Sequence, residues 1–206
     1  MFGLVGRAAA LAMLGSVVHA QQPGPPAQPP RMAASSFATV EVHLNSRPIG
    51  GEWFAEDAGF AGPARIAITY WQPHARGRKI VGGLIPNDTV WRFGANDATA
   101  LHSDLDLTIG SLAVPRGDYT LYLVHSGNNW DLIVNSQTAI WGTDRNASKD
   151  VGRVRLAART LTDSEDALSI YLVPNSSDPR RQAEPSGVLR IKWGTVELTS
   201  PWKVRI

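Results

Sequence analysis

The chain has no cysteine in its 206 residues. No disulfide, thiolate metal site or thiol nucleophile is available, so core packing alone must hold the fold. It also lacks the Gly-x-Ser-x-Gly, His-Glu-x-x-His and Gly-x-Gly-x-x-Gly patterns, and no Lys-Ser/Thr follows the Gly82-Gly83 pair. Those absences count against the familiar hydrolase, zinc-protease and nucleotide-binding chemistries. Charge of one sign is not in excess either: 20 Lys and Arg face 18 Asp and Glu. Such a balance gives no basic footprint for nucleic acid, and the pI near 9.1 reflects only how closely the charges cancel. No segment shows three turns of amphipathic helix periodicity, although a single turn is expected around Ala147, Ser148 and Lys149.

Long apolar runs are missing too. The apolar stretch over residues 8–18 is about half the roughly 20 residues that a membrane span needs. With Arg7 before it and Val18-His19-Ala20 after it, residues 1–20 are expected to be a signal peptide cut before Gln21. No Cys follows to carry a lipid. The expectation is an exported, soluble protein, periplasmic or secreted, with no membrane span once the signal is removed. Residues 21–30, QQPGPPAQPP, have five Pro in ten positions and read as an extended tether within a linker over 21–36. One domain is expected over 37–206.

Strand signals dominate that domain. Val40, Val42 and Leu44 alternate with polar neighbours, as do Ile66, Ile68 and Tyr70, and then Leu105, Leu107 and Ile109. Residues 119–125 and 130–135 read as a hairpin across Ser126-Gly127-Asn128-Asn129. Further strands are expected at 151–157, 168–173, 188–193, 196–198 and 202–206. Short strands with Gly, Pro, Asn and Asp punctuation predict an all-β fold: a single antiparallel sandwich, jelly-roll-like or immunoglobulin-like, with little helix. Loops are expected at 53–63, 73–87 and 174–185.

The densest chemistry lies in residues 76–99, which hold three Arg, one Lys, a Trp and two Asn-Asp pairs. Gly77-Arg78-Lys79-Ile80, Gly82-Gly83-Leu84-Ile85-Pro86, Val90-Trp91-Arg92 and Gly94-Ala95-Asn96-Asp97-Ala98-Thr99 resemble the signature of exported bacterial proteins grouped as domain of unknown function 2911. The resemblance continues through Ile109-Gly110, Val114-Pro115-Arg116-Gly117-Asp118-Tyr119, Trp130 with Ile133-Val134-Asn135, Trp141-Gly142 and residues 150–154. It implies export and a β-rich single domain, and it transfers no catalytic residue. The chain departs from the family pattern at Gln72, where Arg is usual, at Asp97, where Glu is commoner, and at Asp144, where Tyr is frequent.

Arg78, Lys79, Trp91, Arg92, Asn96 and Asp97 are the candidate ligand-binding residues. Guanidinium forks grip carboxylates or phosphates, and an indole offers a stacking face. The competing reading is structural: Asp97 neutralises Arg92 or Arg78 and pins the loop to the sandwich. His102, Asp104 and Asp106 alternate along one stretch, but same-face strand neighbours lie roughly 7 Å apart, so no metal site or cofactor is expected. Of the seven Trp, Trp130, Trp193 and Trp202 are expected in the core, while Trp53, Trp71 and Trp91 border loops. Three functions stay open. One is a non-catalytic module binding a small molecule, a glycan or an envelope partner through the motif loop. Another is a polysaccharide hydrolase or lyase using Asp97 with His74 or Asp104. The third is a purely structural module. The missing catalytic motifs weigh against an enzyme.

Overall fold

The structure is a computed structural model that describes residues 33–44, 64–175 and 184–205, and the backbone alone of 46–49 and 52–55. The expected signal peptide, most of the tether, the Trp53 side chain and much of the loops at 53–63 and 174–185 lie outside the described residues.

The described residues form twelve strands: β1 (Ser36–Leu44), β2 (Ser46–Ile49), β3 (Glu52–Ala55), β4 (Ala64–Gln72), β5 (Val90–Trp91), β6 (Ala95–Ser103), β7 (Leu107–Ile109), β8 (Leu112–Val114), β9 (Gly117–Ser126), β10 (Asn129–Asn135), β11 (Asp150–Pro174) and β12 (Ser186–Val204). The described residues contain no α-helix, and the expected helical turn is a single 3-10 turn at Ala147–Lys149. β2 and β3 form a separate hairpin. The other ten strands make one antiparallel sheet in the order β1-β4-β6-β9-β10-β11-β12-β7-β8, with β5 beside β9, and it does not close into a barrel.

The all-β antiparallel expectation holds, and the two layers are the halves of one continuous sheet bent over itself. The bend is built into β11 and β12. Their ladder slips between Thr160 and Glu165 and again between Glu165 and Ser169, opposite Gly194 at φ +59°. Extra residues in one strand of a pair bend it and raise its twist. Beyond the bend β12 curls so far that Val204 N donates to Pro185 O at 2.8 Å, near its own start. These interruptions break the alternation, so the sequence reads five short strands where the chain forms two long ones.

One core fills the fold. Ile66, Ile68, Leu101, Leu121 and Leu132 come from one half, and Leu168, Ile170, Leu189, Ile191, Trp193 and Trp202 from the other. Each set occupies alternate positions, as the pleat requires. β9 departs from simple alternation: residues 119–123 are all buried. Leu121 and Leu123 face the core, while Thr120 and Tyr122 sit under the connection between β10 and β11. On the outside, buried Glu197 of β12 bonds Arg159 of β11, with Arg190 Nε at 3.5 Å from its second oxygen. The Arg159 guanidinium, followed by its neighbour charges, holds the Glu197 carboxyl below its usual range despite burial.

The motif stretch lies across the mouth of the bent sheet. Ile80, Ile85 and Trp91 join Leu123, Trp130, Leu168, Trp193 and Leu198 around one apolar void. A Cβ at Gly194 would lie 2.6 Å from Ile80 Cδ1. Gly194→Ala should therefore destabilise by about 2–3 kcal/mol, combining left-handed backbone strain with overpacking. Gly127 has a similar φ of +56° but no atom within 4 Å of a built Cβ, so Gly127→Ala should cost only the backbone part, about 1 kcal/mol. Urea denaturation of both variants measures the difference; equal losses would mean that the Ile80 contact carries no stability.

Candidate functional site

Residues 73–89 are fixed largely by main-chain bonds. Ala75 N donates to Asp166 O at 2.7 Å, and Arg76 N to Asp166 Oδ1 at 2.6 Å. Arg78 turns back on its own loop: its Nε donates to Ala75 O at 2.9 Å and its Nη2 to His74 O at 2.7 Å. Two of its donors are spent on carbonyls of its own loop, and Arg78 does not line the cleft. The next turn closes through Ile85 N to Ile80 O at 2.8 Å and Leu84 N to Lys79 O at 3.0 Å. A Cβ at Gly83 would fall 2.2 Å from Lys79 O, so that turn needs glycine. Lys79 itself is exposed.

The second half of the motif sends side chains alternately in and out. Trp91 is buried and stacks on Trp193 with centroids 5.4 Å apart and planes 15° apart. One broad face is thus taken by the core, and Trp91 also lines the cleft that Arg92 borders. Phe93 is fully buried at φ +52°, and its carbonyl accepts a bond from Thr99 Oγ1. Asn96 also has a positive φ, +54°, and its carbonyl accepts from Gly142 N at 3.1 Å. Asn and Gly tolerate that region best, so Phe93 marks a strained spot held by packing.

The expected pairing of Asp97 with Arg92 or Arg78 is not formed. Asp97 Oδ2 accepts from the Trp71 indole Nε1 at 3.0 Å, on the exposed side of β6. The reason is strand geometry: Trp71 and Asp97 lie on neighbouring strands β4 and β6, whereas the Arg92 chain leaves the turn before β6 begins. Among the described residues, Arg92 makes no hydrogen bond and no ion pair.

Arg92 instead lines a cleft of 620 Å³ with Gly83, Leu84, Pro86, Tyr122, Gly142, Thr143 and Arg145. One wall is the motif loop, and the other is the β10–β11 connection. That connection is held against β6 by Ala98 N to Ile140 O at 3.1 Å and by the Gly142 bond. A Cβ at Gly142 would lie 2.7 Å from Arg92 Cδ and 2.8 Å from Asn96 O, so glycine permits the close approach. Arg145 is half-buried. It bonds the Asp150 carboxylate through Nε and Nη2 and lies 5.7 Å over the Tyr122 ring. Asp150 is held in turn by Asn135 Nδ2 at 2.8 Å. Arg145 is therefore neutralised and positioned, while Arg92 keeps its charge.

Below them, Tyr122 Oη and Thr120 Oγ1 are buried without a hydrogen bond of ordinary geometry. Burial pushes the Tyr122 phenol above its usual range, offset in part by Thr120 and by the Arg145 guanidinium. It stays a neutral donor at neutral pH. The two hydroxyls influence each other and are both shielded from solvent, while the Tyr122 ring lines the cleft. Tyr122, Thr143 and Arg145 escaped the sequence reading. The only signal was the Trp141-Gly142 pair beside them.

The other candidates scatter. His74 Nδ1 faces Asp166 Oδ2 at 3.2 Å. His102 lies between Asp118 at 2.8 Å and Asp104 at 3.0 Å, and Asp104 also accepts from Arg65 N at 2.9 Å. Asp106 belongs elsewhere, accepting from Arg116 N at 2.8 Å. Since β6 ends at Ser103 and β7 starts at Leu107, the expected single strand through His102, Asp104 and Asp106 is corrected. No group of three His, Cys, Asp or Glu among the described residues is arranged to hold a metal ion. Asp97 and Asp104 lie seven residues apart across the end of β6, on the order of 20 Å along an extended chain. That separation exceeds the reach of a two-carboxylate glycosidase site.

The fold is an all-β sandwich carrying a cleft with one unpaired guanidinium. The chain belongs to the family described as protein of unknown function (DUF2911), whose model matches residues 56–201. No curated protein and no solved structure matches the chain.

Two outcomes test this geometry. Arg145→Ala strands the Asp150 carboxylate and should cost about 2–3 kcal/mol, whereas Arg92→Ala strands nothing and should stay within about 0.5 kcal/mol of wild type. Chemical denaturation that found the two equally damaging would contradict the partner assignment. For His102, the bond to Asp118 leads the causes that raise its pKa above the ordinary value of 6.5, followed on the favourable side by Asp104. A raised folded-state pKa gives stability that is complete below about pH 6.5 and fades as pH climbs through the folded value. His102→Gln should flatten that decline in a melting-temperature series from pH 5.5 to 8.5, and an unchanged profile would assign the slope to other groups.

Proposed function

We propose that this protein is a non-catalytic exported β-sandwich that binds a small anionic molecule in the cleft between the motif loop and the β10–β11 connection. One observation carries the reading: Arg92, half-buried at the cleft wall, has no carboxylate or carbonyl partner among the described residues. A guanidinium held beside apolar side chains, with its charge uncompensated, favours an incoming carboxylate or phosphate. The Tyr122 ring forms part of the cleft lining beside it. Arg145, tied to Asp150, shapes the wall and gives the site a second cationic face without a second net charge. A single uncompensated charge fits a monoanionic group, such as the carboxylate of an organic acid or a uronic acid, better than a polyphosphate.

No observation favours catalysis. Asp97 is bonded to Trp71, His74 to Asp166, and Asp104 to His102 and Arg65, in three separate places. Arg78 supports a structural role for its own part of the loop, and Arg92 does not share in it.

The test is calorimetric titration with acetate, galacturonate, citrate and inorganic phosphate at low ionic strength. Binding by at least one carboxylate is expected, weakened about 10- to 100-fold in Arg92→Ala, as loss of a charge-assisted bond predicts. Added salt should weaken it too. A folded Arg92→Ala that binds as tightly as wild type, or a wild type that binds none of the four, would remove the proposal.

A further inference from the structure

The anion cleft leaves the largest exposed aromatics unexplained. Phe37 is 60% exposed and Trp141 48% exposed. In a chain whose other core-sized aromatics are mostly buried, these two lie in one row. Phe37 pairs with Trp71 across β1 and β4, and the two rings meet edge-to-face with centroids 5.5 Å apart. Trp71 Nε1 bonds Asp97 Oδ2 on β6. Asp97 in turn sits directly opposite Trp141 in an antiparallel bridge. Directly paired residues of antiparallel strands place their side chains on the same face. Phe37–Trp71 and Asp97–Trp141 are direct pairs, and the Trp71–Asp97 bond joins them across one step, since Trp71 pairs with Ala95 two residues from Asp97; the four form a stepped row on the face away from the core. With neighbouring strands near 4.8 Å apart, the line is on the order of 15 Å long.

We infer that this row is a binding surface for a neutral polysaccharide, with pyranose rings seated on the aromatic side chains. The reading is separate from the anion cleft. The chemistry of the row selects the occupant. Trp71 fixes the carboxylate between the aromatics by holding Oδ2, and among the described residues Oδ1 has no partner. A carboxylate set between rings matches a ligand that offers flat C–H faces and hydroxyl donors together, as a pyranose does. An apolar peptide would bury that oxygen without a bond, which is costly. An anionic ligand would meet the Asp97 charge. The length of the row suits a short stretch of a chain more than a single sugar. Trp71 cannot turn its N–H to the ligand, because Asp97 accepts it; its contribution is the ring face.

The test uses mature protein (residues 21–206) and four soluble probes: cellohexaose, xylohexaose, mannohexaose and chitohexaose. Tryptophan fluorescence and calorimetry read the binding. Saturable binding of at least one hexaose is expected, weakened about tenfold or more by Trp141→Ala, since a large exposed indole is the strongest aromatic anchor of the row. Phe37→Ala, at the edge of the row and outside the core, should weaken it by a smaller factor while folding normally, so a failure of Trp141→Ala to fold would still leave a decisive variant. Asp97→Asn keeps an acceptor and should lose less than Asp97→Ala. Tyr171, exposed on β11 away from the row, is the control: Tyr171→Ala should bind as wild type does. Absence of binding to all four probes at millimolar concentration would overturn the inference. So would binding that both Trp141→Ala and Phe37→Ala leave intact, or that Tyr171→Ala abolishes equally; the row would then be a protein-docking or purely structural feature.

Discussion

A sheet that bends over itself leaves a mouth where its halves diverge, and this chain closes that mouth with the stack of Trp91 on Trp193. Ile80 packs so near Gly194 that the bend has no room for a side chain there. The contacts depend on each other. The bend needs a glycine to turn, and the glycine leaves a gap that Ile80 fills. Trp91 then covers the apolar end that the bend would leave wet. Burying a large aromatic is worth a few kcal/mol, comparable to much of a small domain's net stability. With no disulfide to constrain the unfolded chain, that contact cannot be replaced by a covalent link.

The direction of Arg92 follows from the same packing. Trp91 and Phe93 both point inward, which the positive φ at Phe93 allows, and the residue between them must point out. Core packing and an outward charge are therefore carried by alternate residues of one short stretch. Arg78 shows the opposite assignment within the same motif. Its guanidinium closes its own loop on the carbonyls of His74 and Ala75, away from the cleft. Equal density of charge in the sequence thus conceals unequal availability of charge in the fold.

Those assignments explain what the sequence disclosed and what it concealed. Alternation in residues 66–70 and the hairpin of β9 and β10 were legible because each has one wet face or a glycine-bearing turn. β11 and β12 were not legible as long strands. In β12 the buried apolar set passes from Leu189, Ile191 and Trp193 to Leu198, Trp202 and Val204 across Gly194, and in β11 residues 157–167 bury no side chain, so a period-two reading stops there. The motif was legible as a cluster of unusual residues. Its ion pairing was not, because Trp71 is a donor that competes for Asp97 and charge counting ignores it. Arg145 and Tyr122 were invisible as site residues since each belongs to a different, distant segment, and only the β10–β11 connection brings them to Arg92. Continuous burial along residues 119–123 marks where the connection covers the outer face of β9.

The connection that completes the cleft also builds the aromatic row. Trp141 and Gly142 are consecutive, and the bonds of Ala98 N to Ile140 O and Gly142 N to Asn96 O hold them to β6 as a short added strand. In an extended segment, neighbours face opposite ways. Trp141 therefore joins Asp97 and Trp71, while Gly142 lets the segment approach the Arg92 side chain. A cation with no partner lies on one side and a carboxylate held by an indole on the other, so the two surfaces differ in charge. Because both rest on the same pair of main-chain bonds, neither can shift far without the other. A ligand that pulled residues 140–142 away from β6 at one surface would loosen the second. One that pressed them inward would order both. Coupling between the surfaces would then run through the short ladder at Asn96 and Ala98, in both directions by the same factor.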